Sequence, residues 1–221
     1  MPYILSPSTL ELMKECPRCF WLHFNKKIKR PEQIFPSLPS GMDRILKKHF
    51  DNFMEIDKLP PELERYEECK KLTLFKNKRL LEIWRNPRKG IRFEDENGNI
   101  LRGAIDNLLK NKEKIIVLDY KTRGYELKET TPNYYKDQLD IYNFLLRKNG
   151  YETEDYSYLL FYYPEEVNKR GNIVFNTKLL KIQVNTKNAE EIWKKALSIL
   201  SGDIPESSEN CQFCKWARKV A

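Results

Sequence analysis

Asp106, Asp119 and Lys121 are the residues of this chain whose types and spacing could do chemistry together. Asp119 and Lys121 stand two apart after the apolar run Ile115-Ile116-Val117-Leu118, and in a strand residues two apart point to the same face. Such a run marks a buried strand, where an ion is costly unless it is paired or binds a metal. Asp106 follows Gly103-Ala104-Ile105; on the neighbouring strand of a hairpin it adds a second carboxylate to the same place. Hard oxygen ligands of this kind suit Mg²⁺ or Mn²⁺. An ion there can hold a phosphate, lower the pKa of an attacking water and stabilise developing charge, with Lys121 orienting the water or neutralising the phosphorane. A lone Asp-x-Lys is more often an ordinary ion pair on a surface hairpin. Here the upstream Gly-x-x-Asp, the buried strand and a helix carrying Gln138 and Tyr142 favour the site.

The elements that must position these residues form an α/β pattern. Residues 6–25 read as a helix, capped by Ser6 or Ser8 with Glu11 three residues after Ser8 as in a capping box. Residues 29–40 contain Pro31, Pro36 and Pro39 and read as a connector, and a second helix is expected over 41–54. The charged segment 60–86 reads as two helical pieces broken near Leu72 to Asn77. From Gly90 the pattern alternates as strands do: Ile91 to Phe93, Ile100 to Leu109 and Ile115 to Lys121, with turns at Asn97 to Asn99 and Lys110 to Lys114. A helix over 134–148, strands at 156–163 and 173–184, a helix over 188–201 and a short tail complete the order. Helices, a meander, a helix, strands and a helix imply an α/β fold with a mixed sheet. This divides a single domain into a mainly helical part at 1–89, a core at 90–187 and a terminal helix with its cysteine tail at 188–221.

Composition narrows the partner. The 221 residues carry 40 Lys and Arg against 32 Asp and Glu, a formal charge of +8, which suits a polyanion because neutralised phosphates release counterions. No apolar run approaches the ~18 residues of a membrane span, and the first residues lack a signal-peptide pattern. The expectation is a cytoplasmic chain with no membrane partner.

Cys16-x-x-Cys19 and Cys211-x-x-Cys214 are a second chemical feature. Cysteines three apart can turn both thiolates to one ion or cluster, and pairs at opposite ends would clip the first helix to the tail. The plainer reading of Cys19 is burial beside Phe20 and Trp21. Cys69 lies in a charged helix and reads as an unliganded thiol.

Taken in order, Gly103-x-x-Asp106, Asp119-Tyr120-Lys121, Gln138-x-x-x-Tyr142 and the Ser8 to Leu22 segment with Cys16-Pro17-Arg18 resemble the RecB-like branch of the PD-(D/E)XK nuclease superfamily. The resemblance implies a restriction-endonuclease-like core, a mixed central sheet flanked by helices, with an N-terminal helical segment. It implies metal ligation by Asp106, Asp119 and the main-chain carbonyl of Tyr120, with Lys121 catalytic. Gln138 and Tyr142, one helical turn apart, would contact DNA or support the site, although Tyr142 also suits plain packing. Members of the branch commonly carry a metal-ligating His four residues after a Gly. Here that position, counted from Gly41, is Ile45, and His49 one turn later is the substitute ligand, unless it is simply packed. Relatives such as the CRISPR-associated RecB-like exonucleases and the AddB-type nucleases bind a [4Fe–4S] cluster through one N-terminal and three C-terminal cysteines. This chain has Val220 near where the third would stand. Cys19 would then join Cys16, Cys211 and Cys214 around a [4Fe–4S] cluster, and a Cys₄ zinc site fits the spacing as well.

The implied activity is metal-dependent hydrolysis of single- or double-stranded DNA, as an exonuclease in the first instance. The setting would be repair, recombination or CRISPR adaptation, with protein partners of such a complex. The alternative is a weakened member that binds DNA without cutting it, favoured by Ile45 and opposed by the intact Asp–Asp–Lys set.

Overall fold

A computed structural model describes residues 2–31 and 36–220. Two mixed sheets and eight α-helices make up the described chain. The larger sheet has the order β2 (Thr73–Leu74), β5 (Asn107–Asn111), β6 (Lys114–Thr122), β7 (Tyr156–Val167), β8 (Ile173–Gln183). Only β6 and β7 run parallel, so a crossover must join them. That crossover is α6 (Lys136–Lys148), preceded by a 3₁₀ turn at Thr131–Tyr135. The smaller sheet has the order β1 (Ile4–Leu5), β4 (Ile100–Gly103), β3 (Ile91–Glu94).

Helix α6 lies against β3 and β4 on one side and β6 on another, with α7 (Thr186–Ser201) beside it. Every residue from Leu139 to Leu146 is therefore buried, polar ones included. The buried Asp140 is satisfied by Lys136, by the Asn185 amide and by the Asn188 side chain; Asn143 donates to the Leu139 carbonyl and to Ser157. Helix α3 (Ser37–Glu55) buries Leu46, Phe50 and Met54, a stripe at i, i+4 and i+8.

Several boundaries depart from the sequence reading, each for a local reason. The helix expected over 6–25 is α1 (Pro7–Glu15), α2 (Pro17–Trp21) and a π-type turn, Leu22–Lys26. Pro17 forces Cys16 into extended backbone (φ −161°, ψ 107°), because a residue before proline avoids the helical region. The cap is Ser6 with Thr9 as its reciprocal partner, not Ser8 with Glu11. Helix α3 begins at Ser37, inside the expected connector; residues 32–35 of that connector lie outside the described residues. Cys69 sits in a single 3₁₀ turn, Glu67–Cys69, rather than a longer helix. The tail is helical, α8 (Gln212–Val220).

The most consequential correction concerns Ile100 to Leu109, which is not one strand. It breaks at 104–106, so that β4 and β5 belong to different sheets. The break is held by α5 (Lys78–Arg85): Ile105 N–H donates to the Trp84 carbonyl (3.1 Å), and Arg85 Nε donates to the Asp106 carbonyl (2.7 Å).

Candidate active site

Strand β6 carries the site because it outruns its neighbour. Its pairing with β5 ends at Asn107 opposite Leu118, whereas its pairing with β7 continues to Thr122. Asp119, Tyr120 and Lys121 are thus hydrogen-bonded to a strand on one edge only, and the break at 104–106 brings Asp106 to the other. There Asp106 Oδ2 accepts the Tyr120 N–H (3.2 Å), a side chain standing in for the missing strand. An extended residue turns its N–H and C=O to the same edge, so the Tyr120 carbonyl faces the Asp106 side as well.

Alternation separates the side chains. The Tyr120 ring lies against Phe50 of α3 (4.7 Å between centroids), and its hydroxyl accepts from Asn107 Nδ2 (2.7 Å). Asp119 and Lys121 face the other way, where Lys121 Nζ pairs with Asp119 Oδ2 and sits 4.8 Å from the centre of the Tyr135 ring. Asp119 is 1% exposed. Apart from the Lys121 ion pair, neither of its oxygens receives a well-directed hydrogen bond from the described residues. Burial pushes its pKa up to about 7; Lys121 opposes that shift and the Asp106 charge adds to it. For Lys121, burial pulls the pKa down, but the Asp119 and Asp106 charges outweigh it and hold the ammonium above its usual range. Two carboxylates, one of them desolvated and under-bonded, fit a hard cation better than an apolar core.

A family model of the PD-(D/E)XK nuclease superfamily matches residues 4–218. The chain belongs to that superfamily. No curated protein matches it in sequence. A nuclease-superfamily core accounts for the mixed sheet and for a buried strand that ends on Asp119 and Lys121.

The motif glycine of this PD-(D/E)XK chain owes its identity to the helix behind the site. A Cβ on Gly103 would lie 2.8 Å from the Tyr142 ring and 3.0 Å from Leu145, so Gly103 and Tyr142 are complementary shapes. Tyr142 is buried, and its hydroxyl pairs with Gln138 Nε2 at 2.7 Å. Burial and then the Asp119 and Asp106 charges raise its pKa well above the usual tyrosine value. Gln138 also lines a groove of about 340 Å³ with Lys14, Tyr134 and Asp137. Gly103→Ala is expected to cost about 1–3 kcal/mol by overpacking, read as a lowered urea midpoint; Gly103→Ala combined with Tyr142→Leu should recover part of that loss.

His49 is paired with a third carboxylate, Glu62. Its Nε2 meets Glu62 Oε1 at 2.9 Å, and the same oxygen accepts from the Tyr162 hydroxyl at 2.6 Å. Tyr162 stands opposite Thr122 in the β6–β7 register, on the face of Tyr120 and not of Asp119. The side chain of α3 that does reach the site is Lys47, whose Nζ lies 3.0 Å from Asp106 Oδ1 and 2.8 Å from Asp43 Oδ2. Sequence reasoning passed over Lys47, although Asp43 and Lys47 at i and i+4 are a readable pair. It also passed over Arg85, which binds both oxygens of Asp51 (2.8 and 2.9 Å) while holding the Asp106 carbonyl. No local pattern marks Arg85, because its partners come from distant segments.

The four cysteines of the two Cys-x-x-Cys pairs form a second centre. All four ligand atoms lie within 4.8 Å of one another, with Leu12 and Phe213 packed around them. Burial raises the Cys16 thiol, but hydrogen bonds from the Cys19 and Ser208 backbones win and bring it down to about 7. Such a group can bind a metal. Burial pushes the Cys69 thiol up to about 11. Among the described residues no helix is long and apolar enough to cross a membrane.

Proposed function

We propose that this superfamily member is a divalent-metal-dependent deoxyribonuclease. The observation that carries the reading is the Asp119 carboxylate: buried, at the open edge of a strand, beside Asp106 and short of hydrogen bonds. Asp106, Asp119 and the Tyr120 carbonyl would hold Mg²⁺ or Mn²⁺. A bound ion supplies Lewis acidity toward a phosphate oxygen and a lowered pKa for a water. Lys121 keeps a full charge at neutral pH and donates to the attacking water or to a phosphoryl oxygen. Gln138, steadied by Tyr142, opens onto the adjoining groove and would meet the DNA strand. His49 joins the ligand set only on leaving Glu62, and the reading does not need it. The helical part, 1–89, lends Lys47 and Arg85 to the site and Cys16 and Cys19 to the clip, which supports treating 1–221 as one domain. The resemblance to CRISPR-associated RecB-like exonucleases and AddB-type nucleases extends the proposal to exonuclease action in repair, recombination or CRISPR adaptation. It extends also to protein partners there and to a [4Fe–4S] or zinc centre on the cysteines.

The test is degradation of end-labelled linear DNA and of closed circular DNA with Mg²⁺, Mn²⁺ or chelator. Loss of linear DNA with intact circles means an exonuclease; nicked circles mean an endonuclease. Salt-sensitive binding with no cleavage under any divalent ion means the second reading, a DNA-binding module without chemistry.

Lys47 is what favours that second reading, since an ammonium already rests on Asp106. If it competes with the metal, Lys47→Met should tighten Mn²⁺ binding about tenfold, the equivalent of ~1.4 kcal/mol. Calorimetric titration measures this, and an unchanged or weaker affinity would count against the competition.

A further inference from the structure

We infer that the four cysteines bind a single tetrahedral zinc ion and not a four-iron cluster. The inference concerns the clip alone and stands whether or not the carboxylate site cuts DNA.

Sulfur spacing decides between the two. Cys16 and Cys214 are 3.8 Å apart, Cys19 and Cys211 3.6 Å, Cys19 and Cys214 3.5 Å. Zinc–sulfur bonds of about 2.3 Å pointing to the corners of a tetrahedron set neighbouring sulfurs about 3.8 Å apart. In a [4Fe–4S] cluster each cysteine binds a different iron, so the body of the cluster stands between the sulfurs. A set this tight encloses the space of one ion.

The surrounding chain agrees. In each pair the first cysteine stands just before a helix and the second in its first turn: Cys16 and Cys19 at α2, Cys211 and Cys214 at α8. Two such turns facing one another supply four thiolates without help from Val220, which is 62% exposed at the far end of α8. Four thiolates on Zn²⁺ leave a double negative charge. Arg30 is placed to offset it: Nη2 is 3.6 Å from Cys211 Sγ, and the guanidinium lies over the Phe213 ring at 4.7 Å.

The test is metal analysis of the full chain, expressed with both iron and zinc supplied and purified without oxygen. One zinc per chain, no acid-labile sulfide and no band near ~400 nm are expected. Cobalt exchanged into the parent protein should give the visible absorption of a tetrahedral all-sulfur site, a reading that needs no variant to fold. Cys19→Ser and Cys211→Ser should each lose the zinc and lower Tm by roughly 10 °C, as when a long-range cross-link is removed. About four irons with matching sulfide per chain would overturn the inference. So would folded parent protein that carries no metal and takes up no cobalt.

Discussion

Asp119→Asn is expected to reduce metal-dependent cleavage by at least about a thousandfold while leaving the metal-free protein as stable as the parent or more so. Catalysis falls because a neutral amide is a poor ligand for a hard cation, and losing charge stabilisation at a reacting phosphate costs several kcal/mol. Stability moves the other way because the wild-type carboxylate is a burden on the fold. It is buried, it sits beside Asp106, and its oxygens lack directed donors. The sign follows from linkage. The folded-state pKa, about 7, lies above the ordinary 3.8, so the folded protein retains a proton that the unfolded chain gives up. That stabilising contribution is full below about pH 4 and is lost as pH rises through about 7. Metal-free wild type should therefore lose stability between pH 5 and pH 8 relative to Asp119→Asn, and added Mn²⁺ should restore it. Lys121, Asp106 and Tyr142 face the same group; Lys121 and Tyr142 are held above their ordinary values and stay protonated across this window. Urea melts at the two pH values, with and without Mn²⁺, measure the effect. Equal pH slopes in parent and variant would sink the account, as would cleavage by Asp119→Asn at the parental rate.

Lys121→Met should also stop cleavage, by about a hundredfold to ten-thousandfold, with the opposite effect on the fold. Removing the ammonium takes away the charge that opposes the rise in the Asp119 pKa, so the loss of stability should grow as pH rises above about 7, toward the about 3–5 kcal/mol of a buried pair broken from one side. The side chains are 16% and 1% exposed, so little of that penalty is screened by water. Mn²⁺ binding should survive, because Lys121 is not a ligand, and should recover much of the lost stability. Together the two variants separate charge held for chemistry from charge held for structure. One is stable, weak in metal binding and inactive; the other is unstable without metal, competent in metal binding and inactive. If Lys121→Met lost metal affinity as fully as Asp119→Asn, the lysine would have to be counted as part of the ion's site.

Lys47→Met and Gly103→Ala probe the frame around this pair. The frame is also where the sequence stopped being sufficient. Asp119 and Lys121 on one face follow from the two-residue period of a strand, and the apolar run before them announces its burial. The order of elements and the charge follow from the chain as directly, and so do the two Cys-x-x-Cys pairs. The break at 104–106 does not: Ile100 to Leu109 holds no proline, and its one glycine, Gly103, does not by itself mark the end of a strand. What splits it is α5, more than a dozen residues away, through the Trp84 carbonyl and Arg85. Periodicity likewise places Lys47, His49 and Asp43 on α3 without saying which of them reaches Asp106. Packing of α3 over Tyr120 turns Lys47 toward the aspartate and His49 toward Glu62. Nor does cysteine spacing tell one ion from a cluster, since three residues apart serves both. Local covalent geometry and side-chain period thus determined which groups are available for chemistry. Only the tertiary structure decided their partners and the separations between them, because charges and thiolates from distant segments meet by packing that no local pattern records.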